Sequence, residues 1–216
     1  MTMKRILHLI FLCGICVGAF GQSKEFENVL RACKLAQSSM SDGIGSQSEI
    51  KEACDLLTST DWSPLILQQD SKNAEAAMKN HMVFSPEFLK DVADNRKVYK
   101  KARKYVEEQN AQQRGGNVKL CTKCIKAKQK MTYYIRGNGM PINIAAVAEV
   151  NGLINLSVIV KDGNGQETPY KINSDEYKGA SARRLPTINL PKEYSYVYIT
   201  IENKTDKDKS VAIIVE

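Results

Sequence analysis

The chain has 216 residues and carries 31 Lys and Arg against 24 Asp and Glu, a formal net charge of +7. Its 43% hydrophobic and 25% charged content are ordinary globular values, which excludes a disordered or collagen-like chain. After residue 21 no apolar run approaches the ~20 residues of a membrane-spanning helix, so no span is expected in the processed chain.

Lys4 and Arg5 precede an apolar stretch from Ile6 to Phe20, and Ala19-Phe20-Gly21 puts small residues at the −3 and −1 positions of a cleavage site. Residues 1–21 therefore read as a secretory signal peptide, cut before Gln22. An uncleaved anchor fits less well, because the stretch is short for a span. Leu12 before Cys13 and Ile15 before Cys16 disfavour a lipoprotein signal. The predicted location is periplasmic or secreted, an oxidising setting. Processing leaves one histidine, His81, and four cysteines: Cys33, Cys54, Cys121 and Cys124. One histidine excludes multi-histidine metal sites.

Residues 22–115 read as a helical domain. Phe26, Leu30, Cys33 and Ala36 recur at helical spacing over 23–40, and Ile50, Ala53, Cys54 and Leu57 do so over 47–59. Ser41 to Gly45 breaks the pattern, and Ser46 with Glu49 forms a capping box for the second helix. Trp62 to Leu67 is apolar without a clear period, and Asn73 to Met82 reads as helical. Ser85-Pro86-Glu87 opens a further helix to about residue 112, with a cap, a first-turn proline and a first-turn acid. Gly115-Gly116 ends this part.

From residue 116 the period switches to two. Eight strands are predicted, near 117–125, 130–136, 141–150, 153–161, 167–172, 181–189, 194–203 and 208–216. Gly137-Asn138-Gly139 reads as a hairpin turn, and Val150-Asn151-Gly152-Leu153 as a tight type I′ hairpin. Asp162 to Gly165, Pro191-Lys192 and Asn203 to Lys207 mark later turns. The fold class expected is α+β, an N-terminal helical domain packed against a C-terminal eight-stranded antiparallel β-sandwich, jelly-roll-like in form.

Ile154 to Val160 followed by Asp162-Gly163-Asn164-Gly165 resembles the central hairpin of bacterial pre-peptidase C-terminal domains. Tyr198 to Asn203 with a last strand resembles that family's closing hairpin. The resemblance covers roughly 130–216 and implies an eight-stranded sandwich with an accessory rather than catalytic role. Asn155 stands where the family often has an aspartate, which weakens any calcium site. No family is recognised for residues 22–115.

Cys33 and Cys54 lie on the apolar stripes of adjacent helices joined by a short loop, which favours a disulfide. Closing that loop constrains the unfolded chain by roughly 3 kcal/mol in the entropy model. Two buried thiols are the alternative. Cys121 and Cys124, the other candidates for bridging, sit about 10 Å apart if their segment is a regular strand, too far to pair with each other. A redox motif needs a strand-to-helix setting that is missing here. A four-thiolate zinc site would need reduced thiols in an oxidising compartment.

Residues 96–130 hold 12 basic side chains against Glu107 and Glu108. Arg96, Lys97, Lys100, Lys101, Arg103 and Lys104 crowd one helix, a candidate surface for anionic ligands. Their competing role is a solvated face paired with the acidic residues of 22–95. No nucleic-acid-binding motif accompanies the charge. Tyr194, Tyr196 and Tyr198 alternate with aliphatics and form a candidate aromatic face, able to stack on sugar rings. Cover by the helical domain is the preferred reading of that row.

Catalysis has little support. A triad would need His81, whose surroundings suit packing or capping, and no nucleophile elbow, phosphate loop or dinucleotide fingerprint is present. No cofactor is implied. The balance leans away from an enzyme and toward an exported binding or interaction protein, its partner an envelope protein, an acidic glycan or a lipid headgroup. A glycan-binding accessory protein of the envelope is the second reading, and a small hydrolase with its site between the halves the third. Mass spectrometry of the exported protein should find an N-terminus at Gln22; a retained Met1 would overturn the cleavage site.

Overall fold

The computed structural model describes residues 22–41, 47–69, 116–149, 151–164, 167–173, 180–190 and 194–216. The signal at 1–21, His81, the expected helices over 73–82 and 86–112, and the basic run from Arg96 to Lys104 lie outside the described residues.

Helices α1 (Lys24–Ser41) and α2 (Gln47–Ser59) form where the apolar stripes predict them. Ser23 caps α1, its hydroxyl oxygen accepting the Phe26 amide at 3.0 Å. Ser46 lies outside the described residues, and Glu49 instead accepts the Ser38 hydroxyl at 3.3 Å, tying α2 to α1. Trp62 Nε1 donates to the Leu57 carbonyl at 3.2 Å, satisfying an orphan acceptor at the end of α2.

The strands are β1 (Trp62–Pro64), β2 (Gln68–Gln69), β3 (Val118–Ile125), β4 (Lys130–Arg136), β5 (Ile144–Ala148), β6 (Ile154–Asp162), β7 (Glu167–Asn173), β8 (Ala182–Arg184), β9 (Tyr194–Asn203) and β10 (Lys209–Val215). β3 to β10 are the eight predicted strands. β1 and β2 are additions from the N-terminal part, too short to show a period.

The strands build two five-stranded sheets. The first has the order β1-β3-β10-β5-β8 and the second β2-β4-β9-β6-β7. Without their edge additions these are the interleaved four-strand orders of a jelly roll, antiparallel throughout. β1 joins β3 in parallel, where Gly116 is required: a Cβ there would sit 2.8 Å from the Asp61 and Trp62 backbone.

Successive strands mostly change sheets, and this corrects three sequence-based expectations. β4 and β5 lie in different sheets, so Gly137-Asn138-Gly139 turns a corner between sheets rather than a hairpin. β5 and β6 also lie in different sheets, so Asn151-Gly152 is not a type I′ hairpin. Asn151 has φ 55° and Gly152 does not share the positive φ that type I′ demands. Gly152 is needed for space instead: a Cβ would fall 2.4 Å from that of Ala148. The segment likened to a closing hairpin, β9 to β10, likewise crosses between sheets. Among the described strands, only β6 and β7 are successive neighbours in one sheet, and in the turn after β6 Asp162 Oδ1 accepts the Asn164 amide at 2.9 Å.

One core fills the space between the sheets, with Ile125, Ile144, Leu156, Val158, Ile199, Ile201 and Ile213 fully buried. A second lies between the first sheet and the helices, where Phe26, Leu30, Cys33, Ile50 and Leu57 meet Val118, Leu120, Val147 and Ile214. Ala145 and Ala212 on that face are small enough to let α1 approach β5 and β10 closely. The described helices are thus a third layer that shares its core with the sandwich.

Asn203 closes one end of the sandwich. Its fully buried side chain donates to the carbonyls of Ile125 (3.0 Å), Lys126 (3.2 Å) and Lys207 (2.8 Å), and its Oδ1 accepts from the Thr205 amide and hydroxyl. Asn203→Ala removes every one of these bonds and leaves buried backbone groups unmatched. A loss of roughly 2–4 kcal/mol is expected in urea denaturation, whereas a change below about 0.5 kcal/mol would mean the corner holds without this side chain.

Candidate functional site

The outer face of the second sheet is built by alternation along three neighbouring strands. On β9, Val197, Ile199 and Ile201 point into the core and are fully buried, which turns Tyr196, Tyr198, Thr200 and Glu202 outward. On β4 the buried Tyr133 faces inward and Tyr134 outward. On β6, Leu156, Val158 and Val160 are inward, so Asn155, Ser157, Ile159 and Lys161 face out.

Register arranges these outward side chains in rows across the strands. Tyr134, Tyr198 and Ile159 form one row, and Arg136, Tyr196 and Lys161 the next. Thr132, Thr200 and Ser157 form a hydroxyl row on the other side, with the two threonine hydroxyls 2.9 Å apart. Lys130, Glu202 and Asn155 follow.

Tyr134 and Tyr198 lie 5.6 Å apart between ring centroids with planes tilted by 32°. Tyr196 meets Tyr134 nearly edge-on, at 5.9 Å and 77°. The three rings thus form one contiguous aromatic cluster across β4 and β9. All three are half-buried and keep part of their surface in solvent. Lys161 Nζ stands over the Tyr198 ring, 4.5 Å from its centroid, a cation–π contact.

Sequence reasoning placed Tyr196 and Tyr198 on one face, and the structure puts them there. The Tyr194 side chain lies outside the described residues; its backbone pairs with Asp162. Tyr134 was missed. The Tyr133-Tyr134 pair was the available signal, since period two must send one ring in and the other out. Of the helical domain expected to cover the tyrosine row, α1 and α2 pack on the first sheet, on the opposite side of the sandwich, and residues 70–115 lie outside the described residues.

The far end of this face is saturated with ion pairs. Glu202 takes Lys204 at 2.8 Å, Lys130 at 3.9 Å and the Asn155 amide at 3.4 Å. Partial burial pushes the Glu202 carboxyl up, but the Lys204 hydrogen bond, the two lysine charges and Asn155 outweigh it and hold the group below the usual range. Asn155 is therefore tied to a carboxylate already matched by two cations, unlike a calcium site. In the described part of the basic segment, Lys126 pairs with Asp208 at 2.8 Å, Lys128 with Asp206 at 3.1 Å, and Lys123 lies 5.8 Å from the Tyr133 ring centroid. The two aspartates come from the β9–β10 connection.

Cys33 is a buried, unbridged thiol, and the Cys54 side chain lies outside the described residues, so the expected Cys33–Cys54 bridge is not seen. Cys121 is also unbridged and lies in the sandwich core, in the regular strand β3 where pairing with Cys124 is sterically excluded. Among the described residues no three His, Cys, Asp or Glu side chains gather in a metal-binding group, and no helix is long and apolar enough to cross a membrane.

The described fold is a β-sandwich with a helical layer on one sheet. No family model matches the chain, and no curated protein matches it. A mitogen derived from Yersinia pseudotuberculosis is 16% identical, with a TM-score of 0.32, over 46% of this chain and 84% of that one. A periplasmic inhibitor of g-type lysozyme from Salmonella Typhimurium is 13% identical, with a TM-score of 0.29, over 46% of this chain and 90% of that one. A carbohydrate-binding module in complex with β-1,4-galactotriose is 11% identical, with a TM-score of 0.26, over 46% of this chain and 81% of that one.

Burial pushes the thiols of both Cys33 and Cys121 up to about 12, with Lys123 opposing this slightly at Cys121. Both groups stay protonated at neutral pH and are poor nucleophiles. At pH 8 without reductant, neither should be alkylated by iodoacetamide in the folded protein, and both should react in urea. Failure of Cys33 to react even in urea would reveal the bridge to Cys54; fast labelling of the folded state would show that the cores open.

Proposed function

We propose that the chain is a non-catalytic binding protein that takes carbohydrate on the outer face of the second sheet. The observation that carries this reading is the cluster of Tyr134, Tyr196 and Tyr198, held at 5.6 and 5.9 Å on a sheet face opposite the helical layer. A tyrosine ring offers a flat apolar surface to the C–H face of a sugar and a hydroxyl to its rim. Three rings on adjacent rigid strands need little ordering when a ligand arrives, which lowers the cost of binding. The hydroxyl row of Thr132, Thr200 and Ser157 supplies polar partners beside them.

The likeness of residues 130–216 to pre-peptidase C-terminal domains belongs to the same reading, since it implies an accessory role. Export by the signal-like residues 1–21 would bring the face to glycans of the envelope or the surroundings.

Affinity electrophoresis in gels containing soluble polysaccharides tests the proposal. Tyr134→Ala and Tyr198→Ala should each abolish retardation that the native chain shows. Stability should fall by only about 1 kcal/mol, the scale of a lost cross-strand aromatic pair on a half-buried face. Retained binding in both variants would overturn the proposal. A stability loss of roughly 3 kcal/mol or more with no glycan binding would instead make the row part of a packed core.

A further inference from the structure

Asn138-Gly139 and Asn151-Gly152 are the same dipeptide held in two different ways. An asparagine followed by glycine carries its own electrophile and nucleophile. These are the side-chain Cγ and the backbone nitrogen of the next residue, which glycine leaves unshielded. The backbone around the pair decides whether they react, since a misplacement of about 1 Å can cost on the order of a hundredfold in rate.

At the corner between β4 and β5, Asn138 is exposed and its Oδ1 accepts the Met140 amide at 3.0 Å. The ring closed by that hydrogen bond contains both Cγ and the Gly139 nitrogen, so electrophile and nucleophile are tied into one small turn. Oδ1 is also the atom on which negative charge builds when Cγ is attacked. The Met140 N–H is already aimed at it, as a donor in an oxyanion hole would be. Among the described residues no hydrogen bond engages the Gly139 amide. Gly139 has φ 75°, where a side chain would be strained, so the unshielded residue is also the one the corner requires.

Asn151 is exposed as well, but its nucleophile is locked. The Gly152 amide donates to the Glu149 carbonyl at 2.9 Å, and Gly152 is buried against Ala148 without room for a Cβ. Its nitrogen cannot swing toward the Asn151 side chain without breaking that bond. The Asp162-Gly163-Asn164 turn repeats the arrangement of the Asn138 corner, with Asp162 Oδ1 accepting the Asn164 amide, but a carboxylate is a far poorer electrophile than an amide.

We infer that Asn138 is a site of spontaneous succinimide formation in the folded protein, and that Asn151 is protected from it. The Gly139 nitrogen bonds to Asn138 Cγ, the Cγ–Nδ2 bond breaks, and the Gly139 amide proton leaves with Nδ2 as ammonia. Water then opens the succinimide at either carbonyl, giving aspartate or isoaspartate. Each product places a carboxylate two residues beyond Arg136, at the end of the strand that carries Tyr134. Isoaspartate also lengthens the backbone by a methylene in the corner leading to Ile142, whose amide donates to the Ile188 carbonyl at 2.8 Å. The change therefore alters both charge and spacing where the chain passes from the second sheet to the first, and it stands apart from the carbohydrate reading.

Incubation of the full folded chain at pH 8, in water enriched in heavy oxygen and followed by peptide mapping, reads both sites at once. The peptide with Asn138 should convert at least about tenfold faster than the peptide with Asn151. Its new carboxylate should carry the heavy oxygen, with isoaspartate in excess of aspartate. In urea the two peptides should convert at similar rates, because the fold makes the difference. Equal rates in the folded chain, a faster Asn151, or conversion of Asn138 only after unfolding would overturn the inference. Aspartate formed without isoaspartate would mean direct hydrolysis of the side chain and would overturn it too.

Discussion

Strand β10 is buried on both faces, and the architecture follows from that. Val211, Ile213 and Val215 fill the space between the sheets, while Ala212 and Ile214 lie under the helices. Each isoleucine or valine removed from water in this way contributes roughly 1.5–3 kcal/mol. A strand with two apolar faces needs a layer on each side, so the first sheet must carry the helical hairpin. On β4, β6 and β9 the second sheet turns only its inner face to the core. Its outer side is free to carry tyrosines, hydroxyls and charges, which is why the candidate site lies where it does.

Polar groups then pin the layers in register. Arg183, almost fully buried at the edge of the first sheet, donates to the Ile154 carbonyl at 3.0 Å and links that sheet to the second. Glu216 accepts from the Ser23 amide at 3.2 Å and from Asn143 at 2.8 Å, and Asn143 in turn accepts the Thr187 hydroxyl at 2.7 Å. That chain of bonds fastens the start of α1 to the rim of the first sheet. Arg184 reaches Glu27 at 2.5 Å and stacks toward Phe26, a second fastening between helix and sheet edge. Exposed ion pairs add little stability, but in these positions they fix orientation.

The strands and helices were legible because alternation and helical spacing are properties of short segments. Eight strands and both described helices fall within a few residues of the positions their patterns predict. The pairing was not legible. Asn151-Gly152 and Gly137-Asn138-Gly139 signal a reversal of the chain, yet a reversal between sheets and one within a sheet use the same residues. The difference lies in pairings far along the chain, such as those of β10 with β3 and β5 and of β9 with β4 and β6. For the candidate site, alternation found Tyr196 and Tyr198 on β9 but could not bring in Tyr134 and Lys161, which join them only through the register of β4 and β6. The helical domain was expected over the tyrosines because an apolar row asks for cover; its two described helices lie on the doubly apolar first sheet.

The position of β10 also governs how the chain can reach this fold. It is the last strand in sequence and the inner partner of both β3 and β5, with Val215 opposite Lys119 nearly one hundred residues earlier. Its pairings are of high contact order, and such topologies fold slowly, on a scale of about milliseconds to seconds. Until residues 209–215 arrive, β3 and β5 have no common neighbour and the first sheet is two fragments. The helical hairpin, whose floor is that sheet, has no surface to settle on either. Assembly of the described sandwich is therefore gated by residues 209–215, and deleting them would leave an open, sticky precursor instead of a smaller domain.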